Sequence, residues 1–306
     1  MLRKLTTRPV WWWERKRSYP VRSRYYLLPP IAVSKGPARF VVLTTVPALS
    51  DAMWAAWSWY RYLQPHGLEL QLAVDGELSE ADKSAALKLF PGISIYNVNT
   101  VLQTLCEQHP ALRTFLEQNR MAKQVGLVLA LSGQGPLLYS DHDVLAFNPP
   151  VELLARIENG VPSYFIDAGE GCHDPFLLEQ VNALGVEYIP RLNTGFLYVP
   201  KSALSIDLAA QILADWMPEP FCYFTSQTVM SVLMRQANAQ PLADSRYVIS
   251  NCRQFYWEQD VDYTAIVARH FTGTVRHVMY RYGMPTILRE SKHFLEARPV
   301  GVYKCK

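Results

Sequence analysis

Asp141-His142-Asp143 carries the clearest chemistry in this sequence. Two carboxylates one residue apart, directly after the apolar run Leu137-Leu138-Tyr139-Ser140, can aim oxygens at one hard divalent cation such as Mg²⁺ or Mn²⁺. Such an ion neutralises a diphosphate and makes it a better leaving group. Alone, an Asp-x-Asp triplet is also a common solvated turn. A phosphorylated aspartate of the phosphatase kind fits less well, because the triplet follows about the fourth predicted strand rather than the first. No Thr follows Val144, where such enzymes favour one. Further on, His270, Gly273 and Arg276 are spaced three apart. A histidine is a competent third ligand beside two carboxylates. A glycine lets backbone approach a diphosphate closely, and a cation beyond it balances charge growing on a leaving group. His270 alone also reads as a packed or surface histidine; the triplet upstream gives it a function.

These residues need a frame that brings strand ends together. Pro29-Pro30 and Lys35-Gly36-Pro37 separate a basic N-terminal extension, residues 1–37, from a domain over 38–285 and a tail over 286–306. Phe40–Thr45 predicts a buried first strand. Ser50 or Asp51 is then placed to cap a helix carrying Met53, Trp54, Trp57, Tyr60 and Leu63 at helical spacing. Residues 68–74 predict a second strand, 79–90 a helix, 93–98 a third strand and 109–131 one long helix. Leu137–Ser140 is a short strand that runs into the triplet. The second half predicts strands over 162–166, 195–199 and 247–250, with helices near 174–184, 202–216 and 225–237. Strand–helix alternation of this kind points to an α/β domain with a mostly parallel central sheet and helices on both faces. Ligands of such sheets gather beyond the carboxyl ends of the strands, where the triplet lies.

The chain has 306 residues, 49% of them hydrophobic and 19% charged, as expected of an ordinary globular protein. Residues 1–30 hold eight basic side chains against Glu14, so a net charge of +3 leaves the remainder at −4. No apolar run reaches the roughly 18–20 residues that a membrane-spanning helix needs. The N-terminus lacks the apolar stretch of a signal peptide. Cysteines at 106, 172, 222, 252 and 305 are odd in number and widely spaced, which argues against a disulfide framework or a cysteine zinc site. A reducing, cytoplasmic location is expected. Trp11-Trp12-Trp13 and the basic residues around them can rest on the inner face of an anionic membrane, or pack on the domain with their charges solvated. Nucleic acid is not the expected partner.

Several segments together resemble the GT-A glycosyltransferases, and among them the family-8-like enzymes that include glycogenin and bacterial galactosyl- and glucosyltransferases. The resemblance spans roughly residues 38–282. Phe40–Thr45 is similar to the family's first strand, Lys123 to a lysine on the helix before the metal strand, and Leu138–Leu145 to the Asp-x-Asp strand. Arg191–Tyr198 resembles the asparagine–small–glycine segment, Phe224–Gln227 the start of the next active-site helix, and Arg269–Arg276 the His-x-x-Gly-x-x-Lys motif.

The resemblance implies a metal-dependent hexosyltransferase that uses a nucleotide diphosphate sugar, such as a UDP-sugar, and a glycan or lipid-linked acceptor. Asp143 and His270 are then ligands of Mn²⁺ or Mg²⁺, with Asp141 between metal and ribose. Thr44 and Thr45 hold the nucleoside, Gly273 and Arg276 face the diphosphate, and Lys123 and Asn193 contact the donor sugar. Ser226 and Gln227 open the active-site helix. No residue stands out as a nucleophile, which agrees with front-face retention. The sequence departs from the family at His142 for a small residue, Arg276 for lysine, Ser226 for an acid, and His277-Val278 for proline and tryptophan.

Trp54, Trp57 and Trp59 read as core or interface rather than a sugar platform. Asp167-Ala168-Gly169-Glu170-Gly171 is open between sugar binding and a glycine-rich loop, and Cys172-His173-Asp174 reads as structural. Sugar-nucleotide pyrophosphorylases need a glycine-rich basic motif after the first strand, unlike Val46-Pro47-Ala48-Leu49. A non-catalytic binding or scaffold protein on the same fold is the alternative function.

Overall fold

The computed structural model describes residues 19–249, 261–273 and 275–296. Trp11-Trp12-Trp13, the basic residues before Tyr19, Ser250, Cys252, Thr274 and Cys305 lie outside the described residues.

The strands are β1 (Arg39–Thr45), β2 (Glu69–Asp75), β3 (Ser94–Asn97), β4 (Leu137–Asp141), β5 (Val144–Ala146), β6 (Ser163–Ile166), β7 (Leu192–Val199), β8 (Gln240–Pro241), β9 (Tyr247–Ile249) and β10 (Ala268–His270). A seven-stranded sheet has the order β3-β2-β1-β4-β7-β6-β8. Its β3-β2-β1-β4 half is parallel, while β7 runs antiparallel to both β4 and β6. A smaller sheet, β5-β10-β9, lies beside it. The sequence pattern predicts the parallel half and β9; β5 and β10 of the small sheet have three residues each, too short for periodicity to register.

Side chains alternate across the large sheet, so each face carries an apolar core. Phe40, Val42 and Leu138 face one core, and Val41, Leu137 and Tyr139 face the other. The first core is built around helix Leu49–Leu63, whose Trp54, Trp57 and Trp59 are fully buried. Each indole N–H finds a backbone carbonyl: Trp54 donates to Arg22, Trp57 to Pro29 and Trp59 to Val144, at 2.9, 2.8 and 3.1 Å. Burial with the donor satisfied is the stable way to place an indole in a core. The second core packs beneath helices Val98–Gln108, Ala122–Ser132 and Thr225–Gln236.

Several boundaries differ from those expected. The long helix over 109–131 is two helices, Arg113–Gln118 and Ala122–Ser132, because the Asn119 side chain accepts from Met121 N at 2.8 Å and turns the chain. Helix Val98–Gln108 precedes them, capped by the Asn97 side chain accepting from Asn99 N; the end of the predicted third strand is therefore a helix start. Strand β7 begins at Leu192, so Asn193 lies within it, and the helix expected over 202–216 is only Ile206–Ile212.

Asp51 does not cap its helix. Its Oδ1 accepts from Arg22 Nε at 2.6 Å and its Oδ2 from Tyr280 OH at 3.0 Å, in a buried network. Arg22 also donates to Pro47 O at 2.9 Å. One basic residue of the N-terminal extension is therefore buried in the domain rather than presented to a surface. Leu28 and Ile31 follow it into the core. At the other end, helix Met284–Glu296 runs through the boundary expected at residue 285, with Ile287 in the core and Glu290 paired to Arg61 at 2.8 Å.

Candidate active site

The triplet occupies the seam between the two sheets. Asp141 ends β4, opposite Leu43 of β1, and Val144 begins β5. Helix Leu49–Leu63 fixes the exit from the turn: Ser58 Oγ accepts from Ala146 N at 3.0 Å, Arg61 donates to Ala146 and Phe147 carbonyls, and Tyr62 OH donates to Phe147 O. Trp59 stacks on Phe196 of β7 with ring centroids 4.4 Å apart, tying that helix to both strands beside the turn.

Strand pairing then delivers His270. β10 runs antiparallel to β5 with His270 opposite Val144, and Phe271 N donates to Asp143 O at 2.8 Å. His270 Nε2 lies 3.2 Å from Asp143 Oδ1, and His270 Nδ1 lies 2.9 Å from Asn193 Oδ1. Because that oxygen can only accept, Nδ1 carries the proton and the Nε2 edge faces the carboxylates. Asn193 Oδ1 also accepts from Gly195 N at 2.9 Å. A Cβ on Gly195 would stand 2.3 Å from His270 Cε1, so only glycine lets the imidazole lie against β7.

Ligand atoms of Asp141, Asp143 and His270 fall within 4.8 Å of one another. Asp143 Oδ2 accepts a hydrogen bond from Arg276 Nη2. Asp141 Oδ1 accepts from Tyr139 OH at 2.5 Å. Burial and the neighbouring Asp143 charge push the Asp141 carboxyl up to about 6, against His270 and the Tyr139 hydrogen bond. Burial also penalises Asp143, but Arg276 and His270 outweigh it and hold its carboxyl well below the usual range. His270 is lowered by burial and raised more by Asp143, Asp141 and Asp167, for a net rise. Two carboxylates side by side, Asp143 buried and Asp141 half-buried, one of them held short of full ionisation by the other, are a site that a cation relieves. The donor set of two carboxylates and one imidazole fits a divalent ion such as Mn²⁺ or Mg²⁺.

The architecture has clear counterparts. Mouse xyloside xylosyltransferase 1 aligns at TM-score 0.52 and 12% identity, over 80% of this chain and 99% of that one. An active-site mutant of LgtC aligns at TM-score 0.50 and 15% identity, over 80% and 95%. The bifunctional glycosyltransferase WbbM aligns at 0.51 and 10%, over 86% of this chain and 52% of that longer one. The fold is GT-A. No protein-family model and no curated protein matches the sequence.

In the GT-A frame, the remaining expected residues fall into two groups. Thr44 and Thr45 close β1 opposite Val74 and Asp75, and Lys123 Nζ pairs with Asp75 at 2.5 Å; these form a cluster beyond β1 and β2. Gln227 donates to Cys172 O at 2.9 Å and reaches Asp167 Oδ2 at 3.4 Å. Ser226 is buried and its hydroxyl has no hydrogen-bond partner among the described residues. At Gly273 a Cβ would meet no atom of the described residues within 4 Å, so their packing does not demand a glycine there. His142 stands outside the Asp141–Asp143–His270 group, and its buried Nε2 has no hydrogen-bond partner among the described residues.

The sequence left Asp167 undecided and gave no reason to single out Tyr139 or Tyr223. Asp167 Oδ2 accepts from Asn193 Nδ2 at 2.9 Å, so a chain of contacts runs Asp167–Asn193–His270–Asp143–Arg276. Tyr139 shares a face with Asp141 two residues on, a spacing legible in the strand pattern. Tyr223 is 60% exposed as a residue, but partial desolvation of its phenol, with the charges of Asp141 and Asp143, raises it against Arg276; nothing in the sequence marks it. Cys172-His173-Asp174 is structural here: Asp174 caps helix Pro175–Ala183 and accepts from Thr225 Oγ1 at 2.6 Å, while the His173 ring reaches Pro190 O. Among the described residues Cys106 and Cys222 are free, and no helix is long and apolar enough to cross a membrane.

Proposed function

We propose that this protein is a metal-dependent glycosyltransferase moving a hexose from a nucleotide diphosphate sugar to a glycan or lipid-linked acceptor, with retention at the transferred carbon. The observation that carries the reading is the Asp141–Asp143–His270 group at the carboxyl end of β4 in a GT-A fold. In this reading Asp141, Asp143 and His270 hold Mn²⁺ or Mg²⁺, which when bound neutralises charge on the departing diphosphate. Asn193 fixes the imidazole tautomer so that Nε2 is the ligating nitrogen.

Thr44 and Thr45 receive the nucleoside, with UDP as the first candidate. Lys123, now on Asp75, and Asn193, now shared between His270 and Asp167, face the donor sugar. Arg276 supplies a cation to the diphosphate, and the open space at Gly273 admits it. Ser226 and Gln227 line the acceptor side. The transferase domain, expected over residues 38–285, also takes in Arg22, Leu28, Ile31 and Ile287, and the extension adds contact with an anionic membrane through exposed Tyr19, Arg24, Tyr26 and Leu27.

The test is a thermal-shift screen of uridine, guanosine and thymidine diphosphate sugars with Mn²⁺ and with chelator. One donor should stabilise the protein only with metal, and Asp143→Asn should abolish the effect. Silence of every donor in every metal sinks the reading. Donor hydrolysis in the same samples separates an enzyme from a non-catalytic binder.

A further inference from the structure

Asp143 is already occupied on both oxygens by the protein itself. Oδ1 faces His270 Nε2 at 3.2 Å, and Oδ2 accepts from Arg276 Nη2. An ion that ligates this carboxylate competes with them for its lone pairs and its charge. His270 is anchored from behind by Asn193 and offers the metal its own nitrogen, so it stays. Arg276 offers a metal nothing but repulsion.

Arg276 is also incompletely satisfied where it sits. Among the described residues its buried Nε has no hydrogen-bond partner, although a guanidinium fork normally delivers parallel N–H bonds to an anion. It lies on the short helical turn Arg276–Val278, close after Gly273, beside whose Cβ position no atom of the described residues comes within 4 Å. A diphosphate arriving there presents the oxygens that the guanidinium lacks.

We infer that Arg276 is a resident counter-ion of the metal site, bound to Asp143 in the free protein and drawn off by the diphosphate of an incoming nucleotide. This rests on the metal and nucleotide reading above and adds to it a direction of coupling. Metal alone must compete with the guanidinium and binds weakly. Nucleotide removes the competitor, so nucleotide and metal each tighten the other's binding by the same factor. Arg276 thereby couples loading of the metal to arrival of the donor, and guards the buried Asp143 carboxylate against uncompensated charge in between.

The experiment is Mn²⁺ titration of the full chain by electron paramagnetic resonance, alone and with UDP or GDP, on wild type, R276Q and R276K. Thermal melts check that each variant is folded. Without nucleotide, R276Q should bind Mn²⁺ about tenfold or more tighter than wild type, a size typical of coupling between sites. R276K should fall between them, because a lysine keeps the charge but not the fork, and it carries the test if R276Q does not fold. With the nucleotide that binds, wild type should gain Mn²⁺ affinity by a larger factor than R276Q.

If UDP or GDP binds with metal, yet R276Q takes up Mn²⁺ alone no more tightly than wild type, the counter-ion role is overturned and the proposed function stands. If R276K matches wild type while R276Q binds tighter, through-space charge alone explains the effect, and displacement from Asp143 is likewise overturned. If wild type binds neither nucleotide in any metal, the proposed function fails and this inference fails with it.

Discussion

The two halves of the site are built differently. The half made by Asp143, Asn193, His270 and Arg276, with Asp141 beside them, is largely buried, and hydrogen bonds and ion pairs link those four to one another. The other half, from Met217 to Gln227 at the start of helix Thr225–Gln236, is open over its first residues. Met217, Phe221 and Tyr223 are 70%, 45% and 60% exposed, and the buried Ser226 hydroxyl has no partner among the described residues. A dense polar network in low dielectric fixes one geometry, because each member left unpaired is costly. An exposed apolar segment fixes none and leaves room for a partner to choose it. Under the proposed function, the first half suits chemistry common to many donors, and the second is where acceptor preference can vary without disturbing the metal.

The sharpest way to break this contrast is Asp143→Ala. It leaves the Arg276 guanidinium and His270 without their carboxylate, and loss of one partner from a buried ion pair costs about 3–5 kcal/mol. Chemical denaturation should read that loss, and Mn²⁺-dependent stabilisation by donor should vanish with it. Persistence of the metal effect would remove Asp143 from the ligand set.

Gly195→Ala comes next. A methyl group 2.3 Å from His270 Cε1 must push the imidazole off β7, at about 1–3 kcal/mol by the usual cost of overpacking. Metal affinity should fall together with stability. A variant as stable as wild type that keeps its metal affinity would mean that the histidine is not held by this contact.

Asp141→Asn should act in the opposite direction on the metal-free protein. The folded-state carboxyl is raised from 3.8 to about 6, so the ionised form destabilises the fold above pH 6. That penalty fades as pH falls through 6 towards 4, where the proton is bound in both states. Removing the charge should therefore stabilise the chelated protein by on the order of 1–2 kcal/mol above pH 6, and by little near pH 4. With Mn²⁺ present the gain should be lost. Equal melting temperatures of variant and wild type across this pH range, in chelator, would refute the repulsion.

The smallest effect on stability is expected in the open half. Tyr223→Ala removes a mostly exposed ring and should change stability by no more than about 0.5 kcal/mol. Metal-dependent donor hydrolysis should survive, while transfer to acceptor falls. A proportional loss of both would place Tyr223 with the donor machinery instead.

Much of the dense half is legible in the sequence because its parts announce themselves locally. Asp141 and Asp143 follow an apolar strand, and His270, Gly273 and Arg276 share one short motif. The first strand, the tryptophan-bearing helix and the parallel alternation follow from periodicity in the same way. The helix at Val98 and the break at Asn119 were hidden because a side-chain cap and a side-chain turn, rather than a change of hydrophobic period, set those boundaries.

What the sequence could not decide is who faces whom over long separations. Asp51 looks like a helix cap in its local context, yet a buried arginine 29 positions earlier claims it. Asp143 and Arg276 are 133 residues apart, and their contact exists because β10 pairs with β5 across a sheet of three-residue strands. Residue types and spacing determined that carboxylates, an imidazole and a guanidinium were available, since that chemistry is local. Only the tertiary structure decided that the guanidinium rests on the metal-site carboxylate. Pairing, burial and the need to compensate a charge removed from water are properties of the folded whole.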